Sequence, residues 1–160
     1  MTSDNLKALI GTKSRPTVFQ VTRTDIRRIA DAVENRNPLY WDDEYAARSK
    51  YGAIIAPPDF FGWPVKWGPN TPFLTGVDFD VNLFMEVAKA GYMRAINAGM
   101  ETDFFLPIRA GDTLVISGEI VNIEEKEGKK GGKMCISTLE NTVKNQNGDV
   151  VAKQRIMTIH

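Results

Sequence analysis

Two hydrophobic periods divide the chain. From Met93 to Phe105 and from Thr113 to Val121, apolar and polar residues roughly alternate; Leu114, Ile116 and Ile120 stand against Thr113, Ser117 and Glu119, the period of a half-buried strand. The stretches 133–143 and 150–159 behave alike. Asn147-Gly148 marks a tight turn and "GKKGGK" at 128–133 a looser one, which predicts a meander of long hairpins for the last three strands.

The first half reads as helices after one early strand, "TVFQV" at 17–21. Thr24 is expected to cap a helix that carries Ile26, Ile29, Ala30 and Val33 on one face and ends near Glu34. Pro38 keeps that helix from running into a second, short one that Asp42 caps and that passes through Ala46 and Ala47. Pro57 and Pro58 suit the entry and first turn of a third helix, where no amide donor is needed, and Pro64 breaks or kinks it. A further helix is expected within 82–90. Helices followed by strands predict one α+β domain over residues 1–160, with 1–16 as an N-terminal segment and the helices set against an antiparallel sheet.

Length and charge narrow the possibilities. A chain of 160 residues buries roughly 70% of its unfolded surface on folding, enough for a core without staples. Twenty basic and twenty acidic side chains cancel, and the charges are interspersed, so there is no footprint for nucleic acid or an anionic membrane. The single cysteine, Cys135, excludes an internal disulfide and reads as a small buried side chain. No apolar run approaches the roughly 18 residues of a membrane span, and "MTSDNLKALIGTKS" lacks the layout of a secretory signal, so a cytoplasmic protein is expected.

Four segments in order, "NRNPLYWDDEYAA", "YGAIIAPPDFF", "INAGMETDFFLPIRAGDTL" and "NQNGDVVA", resemble the MaoC-like hydratases and dehydratases, more closely their branch of N-terminal, fatty-acid-synthase-type dehydratase domains. The resemblance runs from about Phe19 to the C-terminus. It implies a hot-dog fold: a curved antiparallel sheet wrapped around a central helix, here the one opening at Pro58. It also implies domains paired edge to edge, with an acyl thioester of coenzyme A or acyl carrier protein as substrate and no metal or resident cofactor.

Members of that family that perform the chemistry carry Asp, one residue, Asn-Pro, an apolar residue and His. A carboxylate and an imidazole then flank one water, and the imidazole exchanges its proton near neutrality. Asn37, Pro38 and Leu39 match the motif, but Asn35 occupies the Asp position and Tyr40 the His position. An amide does not take up a proton usefully, and a phenol titrating near ~10 is a poor base at neutral pH. His160, the only histidine, is expected at a frayed or outer strand end, and Glu34 as a solvated carboxylate.

The resemblance places Asn37, Tyr40, Pro58, Phe60, Phe61, Trp63, Asn97 and Gly99 toward substrate. Each has a plainer reading as well. Asn37 fits an Asx corner before Pro38; Phe60, Phe61, Trp63 and Trp67 fit a core or subunit interface as readily as an acyl tunnel; Asn97 and Gly99 fit a strand bulge. The amides of Phe60 and Phe61 at the Pro58 helix start suit either an oxyanion site or an ordinary helix start. Arg109 meets a coenzyme A phosphate or stays solvated, and Arg94 and Lys133 are read in the same way.

Three functions follow as alternatives. One is a hydratase or dehydratase subunit without its own dyad, paired with a dyad-bearing MaoC-like chain in a heterodimer or heterotetramer. Another is a homodimeric enzyme using Tyr40 as donor and Asp42 or Glu101 as the titrating group. The third is a homodimer that binds acyl-CoA without reacting.

Overall fold

The computed structural model describes residues 3–58, 60, 77, 79, 82–128 and 132–160. The expected helix beyond Pro58, with Asp59, Phe61, Trp63, Pro64 and Trp67, lies outside the described residues. The elements run α1 (Ser3–Lys7), β1 (Thr17–Gln20), α2 (Arg23–Ala32), a 3-10 turn (Pro38–Tyr40), α3 (Asp43–Arg48), α4 (Leu83–Lys89), β2 (Ile96–Phe104), β3 (Thr113–Glu127), β4 (Lys133–Lys144) and β5 (Val150–Ile159).

The sheet is antiparallel, with strand order β1-β3-β4-β5-β2, so the three long strands form the meander that their alternation predicts. Asn147-Gly148 turns between β4 and β5, with Gly148 at φ 85° and Asn145 Oδ1 accepting from the amides of Asn147 and Asp149. β3 runs on to Glu127, beyond the expected Val121, after a bulge between Ile120 and Asn122 that shifts the alternation by one place.

Leu114, Ile116, Ile120 and Ile123 of β3 and Cys135, Leu139 and Val143 of β4 point to one buried face. Two apolar clusters cover it. Leu114, Ile116, Val143 and Ala152 pack with Phe19, Ile26, Ala30, Tyr40 and Phe60, while Ile120, Ile123, Cys135 and Leu139 pack with Leu6 and Val87. Between them runs a row in register, Gly118 against Asn141 against Gln154 against Thr102, in which Asn141 and Gln154 are almost fully buried.

Two sequence expectations need correction. Thr22, not Thr24, caps α2: its hydroxyl accepts from the Asp25 amide and the Asp25 carboxylate accepts from the Thr22 amide, a reciprocal box. α2 then ends at Ala32, with Glu34 just outside at φ 53° and the amides of Glu34 and Asn35 bonded to the carbonyls of Asp31 and Ala30. His160 is neither frayed nor at an outer strand. β5 lies between β4 and β2, and the backbone of His160 exchanges hydrogen bonds with Cys135 at 2.7 and 3.1 Å.

Candidate functional site

The stretch after α2 is fixed by its own asparagines. Asn35 Oδ1 accepts from the Asn37 amide and Asn37 Oδ1 from the Leu39 amide, both at 3.1 Å, two successive Asx turns that deliver the chain to Pro38 at the start of the 3-10 turn. Trp41 Nε1 donates to the Asn35 carbonyl at 2.8 Å, and the Arg36 guanidinium lies 5.8 Å from the Trp41 ring centre. Asp42 caps α3 as expected, accepting from the amides of Glu44 and Tyr45.

A second segment is brought alongside by short backbone pairing. Ala56 N–H donates to the Ile108 carbonyl at 2.8 Å and Ala110 N–H to the Ile54 carbonyl at 3.1 Å, which sets residues 51–58 against 104–108. The turn at 109–112 closes as its residues suggest: Gly111 has φ 97°, and Asp112 Oδ2 accepts from the Arg109 amide at 2.7 Å.

Between these segments lies a cavity of about 400 Å³. Its lining comes from three stretches: Asn37, Leu39 and Tyr40; Tyr51 and Ile55 to Pro58; and Phe104 to Ile108. That volume falls at the lower end of the range for small-molecule sites. Tyr40 is 7% exposed overall, yet its hydroxyl makes no hydrogen bond among the described residues. Burial, assisted by the nearby Tyr51, pushes its pKa above the ordinary 10, so the phenol remains a neutral donor.

Of the residues expected to face substrate, Asn37, Tyr40 and Pro58 line this cavity. Phe60 is fully buried elsewhere in the core, 5.9 Å from the Phe19 ring, and its amide turns back to the Pro57 carbonyl at 3.3 Å. Asn97 and Gly99 form the bulge at the start of β2, with Asn97 Oδ1 accepting from the Gly99 amide, and they do not line the cavity. Phe61 and Trp63 lie outside the described residues. Arg109 sits just past the cavity wall, its Nε donating to the Tyr51 carbonyl at 3.2 Å, while Lys50 Nζ stands 5.0 Å from the Tyr51 ring.

Tyr51 and the run Phe104-Phe105-Leu106 are cavity residues that sequence reasoning did not assign. Their apolar character is visible in the chain, but only the pairing of 54–56 with 108–110 brings them together. Among the described residues no group of His, Cys, Asp and Glu is placed to hold a metal ion, and no helix is long and apolar enough to cross a membrane.

Residues 8–154 match the family described as FAS1-like, dehydratase domain region. The chain belongs to this family. A UPF0336 protein of Streptomyces avermitilis is 31% identical over 124 residues, 76% of this chain and 75% of that protein. A probable enoyl-CoA hydratase alpha subunit of Thermomonospora curvata is 28% identical over 136 residues, covering 81% of this chain but 41% of that longer protein. A chain of the C-terminally truncated HadBC complex, a 3R-hydroxyacyl-ACP dehydratase of Mycobacterium tuberculosis, shares the fold with a TM-score of 0.70 at 22% identity, over 95% of this chain and 97% of that one. This FAS1-like dehydratase domain therefore has the hot-dog fold, which it shares with the HadBC chain.

Proposed function

We propose that this domain is the non-catalytic subunit of an acyl-thioester hydratase or dehydratase, and that a dyad-bearing MaoC-like chain docks along β2 to supply the acid and base. Coenzyme A or acyl carrier protein carries the acyl group. One observation carries this reading: of the two positions where the family's dyad would stand, Asn35 is turned into its own loop and Tyr40 offers the cavity only a neutral phenol. Loss of a general acid or base costs about 10² to 10⁴ in rate.

The cavity is also unfinished on one side. Phe104, Phe105 and Leu106 are 51%, 56% and 43% exposed at the end of β2, the last strand of the sheet among the described residues, and a second domain docked there covers them. The opposite edge is less suited to docking: β1 is four residues long and follows Pro16, which has no amide hydrogen to donate. Lys50, near the Tyr51 ring, and Arg109, bonded to the Tyr51 carbonyl, put positive charge beside a residue that lines the cavity, which suits the phosphate-bearing end of a carrier.

A homodimeric enzyme using Asp42 or Glu101 is less well supported, because Asp42 is committed to the cap of α3 and neither residue lines the cavity. Hydration of a crotonyl thioester by this chain, by a dyad-bearing MaoC-like chain that co-purifies with it, and by their mixture tests the reading. Full activity is expected only in the mixture. Turnover by the isolated chain at the rate of the mixture overturns it, and saturable thioester binding without rescue by any dyad-bearing chain moves the domain to a sequestering role.

A further inference from the structure

Among the described residues β2 is the last strand of the sheet, and it has two unlike faces. Met100 and Phe104 point to the inner side of the sheet and are 47% and 51% exposed, whereas Glu101 and Asp103 point to the outer side and are exposed. In register, Glu101 lies across from Arg155 and Asp103 across from Lys153, so β5 carries a cation beside each carboxylate. Both cations turn the other way. Arg155 Nε lies 2.8 Å from Glu140 Oε2 and Lys153 Nζ 3.5 Å from Glu140 Oε1, on β4. Among the described residues neither Glu101 nor Asp103 has an ion-pair partner, and the surplus negative charge lies on the outermost strand.

We infer that this edge selects against a second copy of the same chain and for a hot-dog partner whose edge strand carries Lys or Arg on its outer face and apolar residues on its inner face. The inference rests on the reading above that β2 is the joining edge. Two identical β2 strands related by a two-fold axis would run antiparallel, and pairing centred near Thr102 would set Glu101 of one against Asp103 of the other, twice over. Like charges directly opposed weaken a strand pair and unlike charges strengthen it. Edge charges of this kind are also how sheets avoid joining their own copies. The apolar inner face still requires cover, so the edge is discriminating rather than closed.

Sedimentation equilibrium on the wild-type chain, the E101K/D103K variant, the E101Q/D103N variant and an equimolar mixture of wild type with E101K/D103K tests this directly. The mixture is expected to form a heterodimer roughly ten-fold tighter than either component alone at low ionic strength, with the advantage shrinking as salt screens the charges. The E101Q/D103N variant is expected to self-associate more tightly than wild type. A wild-type dimer as tight as the mixture and indifferent to salt overturns the inference and leaves the β2 junction standing. Absence of association in every combination overturns the inference together with the assignment of the joining edge.

Discussion

Asn35 and Tyr40 diverge: the Asn35 amide oxygen is bonded to the Asn37 N–H at 3.1 Å, while the Tyr40 ring enters the cavity with its hydroxyl unbonded among the described residues. Restoring the family's residue types therefore does not restore its geometry. The N35D/Y40H variant is expected to keep the loop, since a carboxylate accepts the same hydrogen bond, and to show no thioester hydration above background in a stopped assay. Turnover within ten-fold of a dyad-bearing relative would show that the loop opens to aim residue 35 at the cavity.

Tyr40→Phe isolates the hydroxyl. The ring still packs, so the melting temperature is expected to stay within a few degrees, while thioester affinity of the assembled pair falls about 3- to 10-fold, the effect of one neutral hydrogen bond. Titration calorimetry with a non-reactive acyl thioester analogue reads this.

Glu34 occupies the left-handed position that closes α2, at φ 53°, where a side chain is strained and glycine is not. The E34G variant is expected to gain about 0.5–1 kcal/mol in urea unfolding, against the usual sign for removing a side chain. A loss of stability would mean that the carboxylate has a role that its exposed position does not suggest.

At Gly118 the opposite holds. A Cβ there would lie 2.9 Å from Asn141 Oδ1 and 2.9 Å from Val77 Cγ2, inside contact distance of both. G118A is expected to lose about 1–3 kcal/mol as the buried polar row and the chain above it are pushed apart. A matched urea titration checks it.

His160 gives a pH dependence. Burial lowers its pKa below the ordinary 6.5, with Ser137 Oγ at 2.9 Å from Nε2 and the Phe84 ring set edge-on at 5.4 Å. As pH falls below about 6.5 the unfolded chain takes up this proton and the folded chain does not, so stability declines with acidification and is unaffected above that range. H160Q is expected to flatten this part of the melting-temperature profile between pH 7 and roughly 5.

The sheet was largely legible in the sequence because one face is buried and the other wet, which writes a period of two into β3, β4 and β5. The reading stopped at Val121 because the bulge at Ile120/Asn122 shifts the period just where Glu and Lys begin to dominate. The cap expected at Thr24 lies at Thr22 instead, and the sign in the sequence is Asp25, three residues after Thr22, the far side of the capping box. The Asx corner at Asn37 was local and readable, whereas the cavity depends on pairing between 54–56 and 108–110, which no local pattern encodes. The frayed or outer strand end expected for His160 is not what forms, because its backbone is clasped by Cys135, a pairing across 25 residues that no local pattern encodes.

Residues 11–14 bear on how far such molecules can be joined. Gly11, Thr12 and Ser14 bond with the backbone of Gly118 and Ile120, so the side of β3 beyond the short β1 is already occupied by the chain's own beginning. Among the described residues that flank of the ladder is filled from within, so the junction proposed along β2 would join two domains without offering a third the free backbone groups of Gly118 and Ile120.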